Sequence, residues 1–259
     1  MDNTFSPLIS IIMPVFNCEK VVYFSIESVL KQTFDSFEII VVDDFSTDTT
    51  VDVIKSFNDS RIKILVNTKN SGAAYSRNRA INAASGKYIA FLDGDDLWTN
   101  DKLELQLAFM IENEYSFSYT NYEEVDYLGK KIGKFVTGPK KVTHRMFKRA
   151  DFVGCLTVMY RRDIYPDLQI PNDIYKRNDY ALWLLLSKKA NCYLLSKTLA
   201  YYRRGKNTIS SGGKSKLFPY HVALYKKVFG YSTFKSFLCA SRNVFYYIYK
   251  KIRYVKNVK

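Results

Sequence analysis

In KYIAFLDGDDLW (87–98) an apolar run ends abruptly in three carboxylates, Asp93, Asp95 and Asp96. A short apolar run between turn signals, here Lys87 to Leu92 after Gly86, is the pattern of a fully buried strand in a parallel sheet. The acids therefore stand at a strand's carboxyl end, the edge at which open α/β sheets bind ligands. Asp93 and Asp95 are two positions apart, so in extended backbone both side chains leave on the same side, and Gly94 lets a bulky group approach the main chain. Two anionic oxygen ligands so disposed suit a hard divalent cation, which in turn suits a diphosphate. Taken alone, DGDD reads equally as a solvated turn, because Asp and Gly are ordinary turn residues.

The same strand–helix alternation extends in both directions. LISIIM (8–13) reads as a buried strand ended by Pro14, and Val22, Ile26, Val29 and Leu30 are spaced for one face of a helix running to about Gln32. FEIIVV (37–42) is a second strand that stops at Asp43-Asp44, and Ser46 or Asp48 can cap the helix carrying Val51 and Ile54. RIKILV (61–66) is a third strand, followed by the small-faced helix GAAYSRNRAINAA (72–84). Beyond the acids come a helix from Asp101 to about Asn113, with Asp96 capping or turning the chain into it, and an alternating strand at 115–120. A polar hairpin over 121–140, a strand at 155–160 and a helix at 177–190 with Asp179 in its first turn complete the pattern. Such alternation predicts an α/β fold with right-handed crossovers and a mostly parallel sheet flanked by helices. PVFNCEK follows the first strand in place of a GxGxxG, which counts against a dinucleotide site or a Walker loop. RRGKNTISSGGKSK (203–216) is a basic loop with glycines, of a kind that can order over a phosphate.

A chain of 259 residues, 47% apolar and 25% charged, can bury a substantial core as one large domain or a domain with a small appendage. Its formal net charge of +14 bears on partners and suits nucleic acid, an anionic membrane surface or an anionic substrate. Cys18, Cys155, Cys192 and Cys239 form no CxxC pair and suggest neither a zinc site nor a disulfide framework. With no leader pattern and no run of about 18 apolar residues, a cytoplasmic location is expected. From His221 onward, nine Lys or Arg and no Asp or Glu are interleaved with aromatic residues. Residues 221–259 thus read as a basic aromatic helical tail lying on an anionic bilayer, peripheral at the inner face of the cytoplasmic membrane. A nucleic-acid partner, which needs a basic groove with stacking aromatics, is not expected.

Asp43 and Asp44, Arg77, and Asp93 and Asp95 can share one crevice, because successive strand ends in this kind of sheet face the same edge. A carboxylate at 43 or 44 can accept from a base N–H or a ribose hydroxyl, and Arg77 can pair with an anion. The same acids can equally cap the next helix, and Arg77 can be surface charge.

Four stretches, SIIMPVFNCEKVVYFSIESVLKQTF (10–34), FEIIVVDDFSTDTT (37–50), NTKNSGAAYSRNRAINAASGKYIAFLDGDDLW (67–98) and RNDYALWLLL (177–186), resemble a family 2 glycosyltransferase of the nucleotide-diphospho-sugar transferase (GT-A) fold. The resemblance implies a transferase domain over 1–220, with a donor half to about 120 and an acceptor half beyond it. It implies that Pro14, Val15 and Asp43 line a uridine pocket, with Asp44 beside them and Arg77 near the base and ribose. Asp93-Gly94-Asp95 matches the family DxD, whose last carboxylate, Asp95, is implied to hold Mn²⁺ or Mg²⁺ against the donor diphosphate. Asn178-Asp179 stands where the family usually has Glu-Asp, which makes Asp179 the implied catalytic base and Asn178 an acceptor contact. Trp183 is a candidate for the acceptor wall, though its helical spacing from Asp179 suits a core position as well. Phe45, where the family often has Gly, implies an altered turn beside the nucleotide.

On this reading a metal and nearby cations such as Arg203, Arg204 or Lys206 offset the charge on a departing diphosphate. An acceptor hydroxyl attacks the anomeric carbon from the opposite face while Asp179 takes its proton, a single inverting displacement. The expected donor is a UDP-sugar carrying a hexose or N-acetylhexosamine, and the expected acceptor a lipid-linked glycan on undecaprenyl diphosphate in surface-polysaccharide assembly. A sugar-nucleotide nucleotidyltransferase is the alternative enzyme, but PVFNCEK lacks the Gly- and Arg-rich loop it would carry. A non-catalytic carbohydrate-binding protein is a third reading, which the intact Asp93, Asp95 and Asp179 disfavour.

Overall fold

A computed structural model describes residues 6–171, 173–205 and 217–257. Strand β1 (Ile9–Val15) runs parallel to β2 (Phe37–Asp43) on one side and to β4 (Tyr88–Phe91) on the other, and β3 (Ile62–Val66) adds in parallel beyond β2. The near-continuous apolar runs of β1, β2 and β4 follow from having both faces covered, while β3, at the end of the parallel run, is only partly buried. Ile12, Ile40 and Phe91 point into a core shared with Ala80 and Ile81 of α3 (Gly72–Ala83). Ile11, Ile39 and Val41 face the opposite core, closed by Val22, Ile26 and Val29 of α1 (Val22–Leu30) and by Leu103 and Leu107 of α4 (Lys102–Glu112). The short α2 (Thr50–Lys55) completes this half.

Past β4 the sheet changes character. β9 (Met159–Arg161) lies antiparallel to both β4 and β6 (Phe117–Val125), and β7 (Lys131–Val136) is antiparallel to β6. The expected α/β fold is present, with its parallel run confined to β1–β4 and to one later pair. The reason is local: β6 and β7 are joined by a tight hairpin, and neither they nor β9 need the helical crossover that parallel neighbours demand.

That later pair contains a strand absent from the sequence reading. β10 (Cys192–Arg203) runs parallel to β6 with two register irregularities, and antiparallel to β5 (Leu97–Trp98) and β8 (Lys141–Val142). Arg203, expected in a basic loop, is its last residue, 4% exposed. The rest of that loop, 206–216 with Lys206, lies outside the described residues.

The expected tail is built into the domain. α5 (His144–Phe147), α6 (Asn178–Leu186) and α7 (Phe218–Phe229) share the main core, with Leu224 and Val228 of α7 beside Tyr180 and Phe147. α8 (Thr233–Tyr254) packs on α7 through Ser236, Ala240 and Asn243, and β11 (Val255–Asn257) then pairs antiparallel with β7. No helix among the described residues is long and apolar enough to cross a membrane.

Candidate active site

The carboxyl ends of β1, β2 and β4 converge on one edge, and Arg77 of α3 is the centre of what gathers there. Its guanidinium, 5% exposed, donates to the carboxylate of Asp93 through one terminal nitrogen and to the side-chain oxygen of Asn178 through the other. One buried fork thus ties α3, the acidic loop after β4 and the first turn of α6 together. Burial works against a charged guanidinium, but Asp93 and Asp179 outweigh it and hold the group protonated. Asn178 is therefore a positioning partner of Arg77, 6% exposed, and not an open acceptor contact.

Replacing Arg77 by Lys keeps the charge but loses the fork, leaving Asp93 or Asn178 without its donor. A stability loss of about 1–3 kcal/mol is expected in urea unfolding, with a fall in kcat of tenfold or more. Unchanged unfolding would remove Arg77 from the centre of the site.

The strand-end acids after β2 mainly support the scaffold. Asp43, 1% exposed, accepts from both the amide and the hydroxyl of Ser46, which in turn receives the Asn17 amide at 2.9 Å. Asp44 accepts from the Asn67 side chain and from the Ser71 and Gly72 amides at 2.7–2.8 Å. It thereby satisfies amides that the start of α3 leaves without helical partners and fixes the helix that carries Arg77. Phe45 has φ 66°, the left-handed geometry a glycine would favour. The phenyl ring is left half exposed at the rim of the turn.

Gly94 is required from within the protein. A Cβ there would meet Val15 Cγ1 at 2.7 Å and Cys18 Sγ at 3.3 Å, so its closest neighbour is the end of β1. Val15 is 4% exposed and its carbonyl already accepts the Asp44 amide at 2.9 Å, leaving Pro14 as the more accessible member of that pair. Trp183 is wholly buried against Phe91 and Phe117, which makes it a core residue and removes it from any acceptor wall.

Arg203 and Arg204 also have other work than binding a phosphate. The Arg203 guanidinium donates to the backbone carbonyl of Asp95 at 2.8 Å, and its amide donates to Asp96 Oδ1 at 2.9 Å. Asp96, expected to lead into α4, instead pins the acidic loop to β10. Arg204 is paired with Glu124 of β6.

What stays accessible at the edge is Asp93, Asp95 and Asp179, each partly exposed. Burial, then the neighbouring charge of Asp93, pushes the Asp95 carboxyl up to about 6. Asp96 is raised further by burial and by the other two acids. Asp179 sits in the first turn of α6 and accepts only from the adjacent Tyr180 amide, at 2.8 Å, among the described residues. Sequence reasoning missed Asp151, whose buried carboxylate pairs with Arg177 at 3.0 Å. Arg177 is held at φ 65° immediately before Asn178-Asp179, and no local pattern links it to a residue 26 positions earlier.

Sheet order and helix placement are those of GT-A glycosyltransferases. The model of the family "Glycosyl transferase family 2" matches residues 10–168, and the chain belongs to that family; it is a glycosyltransferase. It is 42% identical to TuaG of Bacillus subtilis (strain 168), named for teichuronic acid biosynthesis, over 79% of this chain and 82% of that protein. It is equally 42% identical to the Escherichia coli UDP-Glc:α-D-GlcNAc-diphosphoundecaprenol β-1,3-glucosyltransferase WfgD, over 79% of this chain and 80% of that enzyme. Among solved structures, S. aureus TarS 1–349 in complex with UDP-GlcNAc superposes with a TM-score of 0.70 at 20% identity, covering 95% of this chain and 74% of that one. The Pyrobaculum calidifontis mannosyltransferase PcManGT, in complex with GDP-Man and Mn²⁺, gives 0.65 at 16%, covering 92% and 70%.

Proposed function

We propose that this chain transfers a hexose or N-acetylhexosamine from a UDP-sugar, with inversion, to a hydroxyl of an undecaprenyl-diphosphate-linked glycan in surface-polysaccharide assembly. The observation that carries the reading is the gathering of Asp93, Asp95 and Asp179 around the buried Arg77 at the carboxyl edge of β4. The names of WfgD and TuaG support the choice of donor and pathway class.

A divalent cation fits this edge. The described residues contain no group of three or more metal-ligating side chains, and Mg²⁺-type sites on nucleotides need only one or two carboxylates, with phosphate oxygens and waters filling the rest. Asp95 has the right chemistry: a hard, partly exposed oxygen ligand beside two other acids, with no side-chain cation bonded to it among the described residues. When bound there, Mn²⁺ or Mg²⁺ supplies charge stabilisation for the leaving diphosphate. The chain's own residues do the rest. Arg203 holds the Asp95 backbone, Arg77 fixes Asp93 and the start of α6, and Asp179 receives the acceptor's proton. Asp43 and Asp44 act on the donor by holding the floor of its pocket.

A panel of UDP- and GDP-sugars with Mn²⁺, offered with undecaprenyl-diphosphate glycans and read by product mass, tests the reading. Mass addition of one sugar from a UDP donor is expected. Transfer only from GDP donors, or only to acceptors without a lipid diphosphate, would replace it.

Peripheral attachment to an anionic bilayer belongs to the same proposal. On α8, Phe234, Leu238, Phe245, Ile248 and Ile252 recur at intervals of three, four or seven and form one face, with Phe234 73% and Ile252 80% exposed. Lys235, Lys251 and Arg253 flank that face, while Arg242 and Lys250 turn inward onto the carbonyls of Lys148 and Asp151. Such a helix suits the headgroup boundary. Joint replacement of Phe234 and Ile252 by Ser is expected to weaken sedimentation with phosphatidylglycerol vesicles about tenfold or more, without loss of folding. Equal binding by both proteins would sink the membrane contact.

A further inference from the structure

Between α8 and the segment that follows α5 lies a cavity of about 510 Å³, walled by Met146, Phe152, Phe245, Tyr246, Tyr249 and Tyr254. Arg149 also borders it, its guanidinium 5.6 Å from the Tyr246 ring. Neither the sheet's carboxyl edge nor the transfer chemistry uses this space. Its size falls within the range of about 300–1,000 Å³ typical of small-ligand pockets. Its walls are rigid aromatics: Phe152 meets Tyr254 edge-on at 6.2 Å, and Tyr254 meets Tyr249 in the same way.

Two features say what fills it. Phe245 and Tyr249 are 71% and 48% exposed, so the cavity shares residues with the apolar side of α8 and opens toward any bilayer that side meets. The same two chain segments also lead to the catalytic edge. Phe152 follows Asp151, whose carboxylate pairs with Arg177, the residue before Asn178-Asp179. Tyr249 precedes Lys250, whose ammonium donates to the Asp151 carbonyl at 2.8 Å. Arg149, Arg177 and Lys250 share that corner with two acids, Asp151 and Asp179. A cavity open on the apolar side of α8, with Arg149 on its border and Lys250 next in the chain to Tyr249, suits a molecule that joins a hydrocarbon chain to a diphosphate.

We propose that this cavity seats the first isoprenoid units of the acceptor's polyprenyl chain, with its diphosphate toward Arg149 and Lys250. The inference rests on the lipid-linked acceptor proposed above and adds the site that reads the lipid. A phospholipid acyl chain would suit the aromatic walls but gives no use to cations leading toward Asp179.

The test compares two acceptors with one glycan and one diphosphate, presented in detergent micelles so that vesicle attachment does not enter. One carries the polyprenyl chain and the other a short alkyl chain. Tyr249→Ala is expected to lower kcat/KM for the polyprenyl acceptor about tenfold, the loss of one aromatic contact of about 1.4 kcal/mol. Turnover of the short-chain acceptor and hydrolysis of the donor remain unchanged. Equal losses on both acceptors, or none on either, overturn the proposal. In the unmodified protein, a diazirine on the first isoprene is expected to label 146–152 or 245–254. Labelling elsewhere, or labelling of this cavity by a diazirine phosphatidylglycerol in preference to the polyprenyl probe, overturns it as well. If neither acceptor is glycosylated while the UDP-sugar is hydrolysed, the lipid-linked reading itself fails and takes this inference with it. Transfer to both acceptors without chain discrimination defeats the cavity alone.

Discussion

Asp95→Asn abolishes turnover and, in the metal-free protein, raises the melting temperature. Loss of activity follows from removing the one accessible carboxylate beside Asp93 that carries no bonded side-chain cation among the described residues. The stability gain follows from the same placement. An ordinary aspartate titrates at 3.8, and burial with Asp93 nearby holds this one at about 6. Between those values the folded protein keeps a proton that the unfolded chain has released. Stability contributed by this group therefore falls as pH rises from about 4 to about 6, and stays reduced at neutral pH. Asn carries no charge, so the variant regains on the order of 1–3 kcal/mol near pH 7, about 2–8 °C for a chain of this size. Scanning calorimetry in chelator at about pH 4.5 and pH 7.5 checks it. The gain should be larger at the higher pH, and a lower melting temperature at both would falsify the crowded-acid placement. With Mn²⁺ added, the unmodified protein alone should gain thermal stability, because only it retains the ligand.

Asp179→Asn lowers kcat by about 10²–10⁴, the usual contribution of a positioned general base, while affinity for the UDP donor stays close to normal. The second half of that expectation comes from the local geometry. Asp179 bonds only the Tyr180 amide among the described residues, and Asn can accept the same bond, so α6 keeps its first turn. Arg77 retains Asp93 and Asn178, and Arg177 retains Asp151. Initial rates with saturating acceptor, set beside calorimetric titration with UDP and Mn²⁺, separate the two effects. A variant that turns over normally puts the base elsewhere, and one that loses UDP affinity to the same extent makes Asp179 a donor contact.

The parallel half of the sheet was legible because a strand buried on both faces leaves an unbroken apolar run, as in FEIIVV, and each such run ended in a residue of the site edge. β10 was not. CYLLSKTLAYYR alternates buried and exposed positions irregularly, carries Ser196-Lys197 at a register shift, and pairs with three different strands. No single period describes such a strand, and the basic character of its end suggested a loop. For the site, composition found the acids but could not assign their bonds. Whether Asp44 meets a ribose or a helix start depends on where Ser71 and Gly72 lie, 27 and 28 residues later. Asn178 shows the same limit, since its partner Arg77 is 101 residues away. The basic aromatic end of the chain carries a helical spacing, but its integration through Leu224, Asn243 and β11 depends on tertiary contacts with no sequence period.

The pairing of β11 with β7 has a further consequence. Val255–Asn257 cover the outer rim of the sheet, matching Val136, Phe135 and Lys134, and the Tyr254 carbonyl accepts the Thr137 amide at 2.9 Å. A chain shortened ahead of these residues would present β7 as a bare template of unpaired amides and carbonyls, the arrangement on which copies add edge to edge. Clipping ahead of Val255 would therefore make the protein more prone to aggregate, even with every residue of the transfer edge intact.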